Sequence, residues 1–144
     1  MISFLGKIFR CDCPVTTALD IVGDKWTLVV IKLMLLEQKK TFKEFSESNE
    51  SIAPSILSDR LKKLEKIKYL VKVKPPDNNK TNLYFLTEKG LSLTPVIMEL
   101  VLWSHNNIKP IVDISLKAAV VDIKDKKKLL QAIVKRYKEK AVSL

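Results

Sequence analysis

The chain has 144 residues, 47% of them hydrophobic, which is enough to build one real core and leaves no room for a second full domain. Against 16 Asp and Glu stand 26 Lys and Arg, and the net charge of +10 favours a polyanionic partner: DNA, RNA or an acidic membrane. Two cysteines, Cys11 and Cys13, are too few and too close for the disulfide framework of a small secreted domain, and no run of 18 apolar residues exists to span a membrane. A cytoplasmic protein fits this usage. Lys7 and Arg10 interrupt the apolar opening before a signal-peptide core can form. Only Arg10, Arg60 and Arg136 are arginine, so the surplus charge is almost all lysine and could equally be an ordinary solvated surface until a motif locates it.

Between Thr16 and Leu36 the residues Leu19, Val22, Trp26, Val29, Val30, Leu33 and Leu36 recur at three and four, the period of an amphipathic helix. Gly23-Asp24 splits it, with Asp24 as the cap of the second half. Thr41 and Phe42 can form a very short strand, followed by a short helix over 43–47 that turns Phe45 inward. After a polar loop, Ala53-Pro54-Ser55 opens a helix running to about Lys68, with proline where its missing N–H costs nothing.

The segment 70–74 alternates and is rich in valine, 75–79 is turn chemistry and 82–86 is strand-like again, so 70–86 reads as a two-stranded hairpin. Thr87 caps a long helix carrying Leu91, Val96, Leu100 and Trp103, with Pro95 either kinking it or marking a later start at Thr94. From Lys109 onward 10 basic and 4 acidic residues carry +6 of the net charge, and a last helix places Leu129, Leu130, Ile133, Val134 and Tyr137 on one face. The predicted class is mainly α with a small β-hairpin wing: a winged helix-turn-helix with terminal dimerisation helices. Residues 1–108 form the winged helix-turn-helix domain and 109–144 a basic helical extension for dimerisation.

On a wheel of about 100° per residue, the helix beginning at Pro54 puts Leu57, Leu61, Leu64 and the stem of Lys68 on one side. Ser55, Ser58, Asp59, Lys62, Lys63 and Lys66 face away. Short hydroxyls at the N-terminal end suit base edges in a major groove, and lysines farther along suit phosphates. Arg60, on the flank, offers a planar fork for guanine or phosphate; alternatively it pairs with Glu44, Glu65 or another acid inside the domain. Asp59 either accepts from cytosine or balances Lys62 and Lys63. Lys72, Lys74 and Lys80 surround the hairpin tip, where they can straddle a phosphate backbone or simply protect an edge strand.

Several short motifs then fall in one order: Cys13-Pro14-Val15, Gly23-Asp24-Lys25-Trp26-Thr27-Leu28, Phe42-Lys43-Glu44-Phe45, Ile52-Ala53-Pro54-Ser55, Leu57 to Glu65, Tyr84 to Gly90 and Leu93 to Val96. Their spacing over residues 13 to about 105 resembles the HxlR family of winged helix-turn-helix, MarR-like regulators. The resemblance implies a homodimer on a palindromic operator of double-stranded DNA, repressing or activating transcription. Departing from that pattern, the chain continues some forty residues past Trp103, which bears on the dimer geometry.

In this family a cysteine before the first helix senses oxidants or electrophiles in some members, and Cys13 stands at that position. A thiol beside a helix N-terminus gains thiolate character, the attacking form. The competing reading makes Cys13 a small hydrophobe beneath the dimer helices. Leu129, Ile133 and Tyr137, with Leu100 and Trp103, are the candidate dimerisation residues, as an apolar strip that one small domain cannot cover by itself. No catalytic residues, cofactor or metal are expected, because the sequence has no Gly-rich phosphate loop and a single histidine, His105. A winged helix that binds RNA or protein without operator specificity is the alternative, weakened by Trp26, Phe45, Tyr84 and Trp103 all falling at core-like positions.

Overall fold

Pro14 sits in the first turn of α1 (Pro14–Val22), and Gly23 closes that helix by donating its N–H to the Leu19 carbonyl. The computed structural model describes residues 3–4, 7–78, 80–110 and 126–142. Before α1, β1 (Ser3–Phe4) and β2 (Lys7–Ile8) pair antiparallel, an element the composition of the opening segment does not announce. Phe9 then tucks against Ile21 and Val22 to form a small satellite core.

Asp24 caps α2 (Lys25–Leu35) by accepting from the N–H groups of Trp26 and Thr27 at 3.2 and 3.0 Å. This helix is the hub: Val30, Ile31, Leu33, Met34 and Leu35 are all buried, as suits a helix enclosed on several sides. Thr41 is not a strand residue. Its hydroxyl accepts from Glu44 N–H at 3.2 Å while the Glu44 carboxylate accepts from Thr41 N–H at 2.8 Å, a reciprocal box that starts α3 (Phe42–Ser46) one residue earlier than the sequence implied. Phe45 points into the core as expected.

The second helix of the helix-turn-helix is α4 (Pro54–Lys66), with Leu57, Leu61 and Leu64 buried in a row. Burial of each such leucine is worth about 1.5–3 kcal/mol, enough to hold the outer face of α4 in one orientation. The helix ends before Lys68, which adopts a left-handed conformation (φ 66°) and is exposed, so its stem does not extend the leucine row. That reversal delivers the chain into β3 (Leu70–Val73), paired antiparallel with β4 (Leu83–Leu86) in the register Leu70↔Leu86 and Lys72↔Tyr84. Tyr84 N–H, on the outer edge of β4, donates to the Lys40 carbonyl at 2.8 Å, the trace of a third strand.

Thr87 caps only a short α5 (Glu88–Leu91), and α6 (Thr94–Asn107) starts separately with Pro95 in its first turn. Of the two roles the sequence left open for Pro95, the later start holds, because Pro in a first turn removes no needed donor. Gly90 lies so close to the wing root that a Cβ there would come within 2.2 Å of the Tyr69 carbonyl oxygen. After 111–125, outside the described residues, α7 (Lys126–Val142) packs back on the same domain against α2 and α6.

Here the expectation about the last helix is corrected. Tyr137 is 4% exposed within its own chain, so it is not free to meet a second copy; Ile133 packs half-buried against the main core, and Leu129 stays half-buried. No described helix is long and apolar enough to cross a membrane.

Candidate nucleic-acid interface

The cap residue of α4, Ala53, makes no side-chain cap hydrogen bond, and no side chain among the described residues is recorded on the N–H groups of the first turn, a state in which a helix N-terminus attracts phosphate. Pro54 and Ser55 lie exposed at that end, Ser58 follows half-buried, and Lys62 and Lys66 continue the outer face in the open. Beside it, Phe42, Ser58, Leu61, Lys62, Glu65, Lys72, Asn82 and Tyr84 line a groove of about 200 Å³ between the helix-turn-helix and the hairpin. At the hairpin tip the Asn78 side chain accepts from Lys80 N–H at 3.0 Å. Lys74 and Lys80 are exposed there, and no carboxylate among the described residues pairs with them. Lys72 is less free, with its ammonium 3.8 Å from Glu65.

Of the residues expected on this face, Arg60 and Lys63 are turned inward, while Asp59 stays 70% exposed beside Arg60. Arg60 is largely withdrawn, its Nε donating to Asp24 at 2.7 Å and one terminal nitrogen to Asp59 at 2.5 Å. The internal-pair reading therefore describes Arg60, with Asp24 as the acid in place of Glu44 or Glu65. Asp59 is bound to Arg60 and does not lie against Lys62. Lys63 reaches back to the Ile21 carbonyl at 3.1 Å and lies 3.7 Å from Asp24, where the C-terminal end of α1 welcomes a cation.

Asp24 is the functional residue that sequence reasoning saw only in part. The same carboxylate accepts from the Thr27 hydroxyl at 2.5 Å, from two α2 amides and from Arg60, so one side chain caps α2 and fixes the middle of α4. Partial burial pushes its pKa up, but the Thr27 hydroxyl, Arg60 and the Thr27 N–H overcome this and hold it well below the usual carboxylate range. A cap is legible from spacing; the guanidinium that shares it comes from a residue 36 positions away.

A second surface lies between α1–α2 and α6. Leu19, Val22, Leu28, Val29, Ile97, Leu100 and Val101 line an apolar groove of about 590 Å³. Next to it Leu100 is 49% and Trp103 59% exposed, so Trp103 is not a core residue of the protomer as its position implied. Val15 and Leu19 extend the patch along α1. Leu129, on α7, is half-buried.

Cys13 is the cap residue of α1, exposed, and not in a disulfide. Thr16 N–H, the Thr16 hydroxyl and Val15 N–H, in that order, hold its thiol below the ordinary value. It is not packed inside its own chain. Cys11 is exposed and unpaired as well. Among the described residues no group of His, Cys, Asp and Glu is placed to hold a metal ion.

A helix-turn-helix whose second helix shows an open polar face, flanked by a two-stranded wing, defines a winged helix-turn-helix domain. The HxlR-like helix-turn-helix family matches residues 21–112, and the chain belongs to it. The HTH-type transcriptional regulator YodB of Bacillus subtilis strain 168 is 31% identical over 99 residues, covering 68% of this chain and 88% of that protein. The structure of YodB in its reduced form superposes with a TM-score of 0.55 at 29% identity, over 69% of this chain and 98% of that one. The redox regulator HypR in its oxidised form gives 0.58 at 30%, over 66% and 97%. A putative MarR-family regulator from Porphyromonas gingivalis W83 gives 0.58 at 26%, over 71% and 99%.

Proposed function

We propose that the protein acts as a homodimer that binds a palindromic operator in double-stranded DNA, in the cytoplasm, with an affinity set by oxidants or electrophiles through Cys13. The observation that carries this reading is the open face of α4, with Ser55, Ser58 and Lys62 beside uncapped helix amides and the unpaired wing lysines Lys74 and Lys80 alongside. In it, Pro54, Ser55 and Ser58 approach base edges, Lys62 and the wing lysines Lys72, Lys74 and Lys80 approach phosphates, and Arg60 and Lys63 hold α4 in place, with Asp59 exposed beside Arg60. In this reading residues 1–108 form the reading head and 109–144 a basic helical extension. Support for the redox part comes from two similar regulators, YodB and HypR, whose structures are described by their redox state, and from the exposed, acidified Cys13 thiol.

Selection of genomic fragments with the purified protein tests the operator, with an enriched palindrome as the expected result and random enrichment, or preference for structured RNA in competition, counting against it. On the selected duplex, log affinity against log salt has a slope of about −0.9 per phosphate neutralised. The double change Lys74→Ala with Lys80→Ala removes four lysines from a homodimer, and is expected to make it shallower by about 3–4 and to weaken all sequences alike. An unaltered slope takes the wing out of the reading.

Two copies joined through the α1–α6 groove cover Leu19, Leu100 and Trp103 together, which a lone protomer leaves in water. Trp103→Glu with Leu100→Glu is therefore expected to convert a dimer mass in light scattering to a monomer mass while the far-ultraviolet circular dichroism stays as in the parent. A monomer mass for the unaltered protein at micromolar concentration refutes the dimer.

A further inference from the structure

The family match ends at residue 112, and the shared part accounts for 98% of the reduced YodB chain while using 69% of this one. α7 lies beyond it, at 126–142. What this added helix does is written in its contacts with the wing. One edge of β4 bonds to β3; on the other, the N–H groups of alternate residues face outward. The first, Tyr84 N–H, is taken by the Lys40 carbonyl, but among the described residues no third strand continues to the next. Leu86 N–H donates instead to the phenol oxygen of Tyr137 at 2.7 Å, a buried hydrogen bond spanning 51 positions of sequence. A buried backbone donor without an acceptor is costly, so this phenol stands where a strand carbonyl would.

The surrounding grip is on the same structural unit. Lys40, which supplies the neighbouring carbonyl, reaches with its ammonium to the Lys140 carbonyl at 3.3 Å, and Lys138 pairs with Glu88 at the start of α5, directly after β4. Ile133, Val134 and Ala141 anchor this half of α7 in the main core. Burial raises the phenol pKa despite the opposing Leu86 hydrogen bond, so Tyr137 stays a neutral acceptor.

We propose that α7 is a brace for the wing, with Tyr137 as the positioning residue that fixes β4 through Leu86 and so holds the wing lysines at the DNA backbone. The DNA arm of this proposal rests on the operator-binding reading above; the brace itself does not. Tyr137→Phe removes the acceptor and keeps the ring.

Hydrogen exchange of the full-length protein, resolved at single amides, and operator binding across a salt series test it together. In the unaltered protein the Leu86 amide is expected to be protected and to open together with α7. In Tyr137→Phe, Leu86 exchange is expected to rise at least about tenfold while α2 and α4 amides keep their protection, and operator affinity to fall about fivefold, the worth of one hydrogen bond, with a shallower salt slope. A Leu86 amide that exchanges freely in the unaltered protein overturns the brace, as does an unchanged Leu86 rate in Tyr137→Phe. Loss of affinity with an unchanged slope and unchanged wing exchange also overturns it, by reducing α7 to general stabilisation. If the unaltered protein binds no duplex at any salt, the operator reading falls, and the exchange data still decide the brace.

Discussion

Asp24→Ala is expected to lower the unfolding free energy by about 2–4 kcal/mol and to cost operator affinity at least tenfold. Losing a helix cap costs roughly 1 kcal/mol, and losing a charged hydrogen bond to a partner that stays behind costs about 1.5–3 kcal/mol. Both side chains of the Asp24–Arg60 pair are about a quarter exposed, at 27% and 23%, so the upper end expected of a fully buried pair does not apply. Asp24→Asn keeps an acceptor for the cap and is expected to lose about half as much. A double-mutant cycle with Arg60→Ala isolates the pair, and a coupling below about 0.5 kcal/mol would show that the two act independently.

The same carboxylate gives an acid limb to stability. Its folded-state pKa lies below the unfolded value of about 3.9, so its contribution is complete at pH well above 3.9 and is lost as pH falls from there toward the depressed native value. Chemical denaturation between about pH 6 and 2 should show a steeper acid loss in the unaltered protein than in Asp24→Asn. Parallel curves would remove Asp24 from the acid response.

Local rules made the reading head legible in the sequence. The leucine row of α4, the Gly23-Asp24 break and the turn residues between two short strands each follow from period or from a residue's own backbone chemistry, and all three stand in the structure. Errors arose where one side chain had two claimants. Thr41 is β-branched and reads as strand, yet Glu44 three residues on makes it a cap; both choices satisfy local propensity, and the reciprocal box satisfies two free amides at once. Arg60 and Lys63 lie toward the polar side of an amphipathic wheel, and no wheel shows that the α1–α2 corner, with its carboxylate and its helix C-terminus, abuts that side.

The last helix shows the limit most plainly. Its apolar strip, Leu129 to Tyr137, called for a partner, but periodicity gives the face and not the surface it meets. A second chain and the free edge of β4 are equally good covers on that evidence. What places Tyr137 inside the protomer is the hydrogen bond it accepts from Leu86 N–H, an amide that no third strand among the described residues takes.

Treatment with diamide is expected to change operator affinity at least tenfold in the unaltered protein, reversibly with dithiothreitol, and to leave Cys13→Ser unaffected. Attack begins from the thiolate, and the α1 amides that lower the Cys13 pKa raise the thiolate fraction at neutral pH while leaving the sulfur in the open. Diamide accepts two electrons and two protons from two thiols as one disulfide forms, so the second thiol decides the structural outcome. Cys11 on the same chain is two residues away, where a closed ring is strained, which makes a cysteine of the second protomer the favoured partner. Cys13 lies at the head of α1, the helix that carries exposed Val15 and also Leu19 of the groove proposed to join the protomers. A covalent link there would shift one recognition helix against the other, and half-sites one helical turn apart tolerate little displacement. Non-reducing gels and binding curves of the unaltered protein, Cys11→Ser and Cys13→Ser separate the cases. A reducible dimer band together with a lost response only in Cys13→Ser supports the sensor and identifies the bond. An intact response in Cys13→Ser eliminates Cys13 as the sensor, and a response lost in Cys11→Ser alone transfers the role to Cys11.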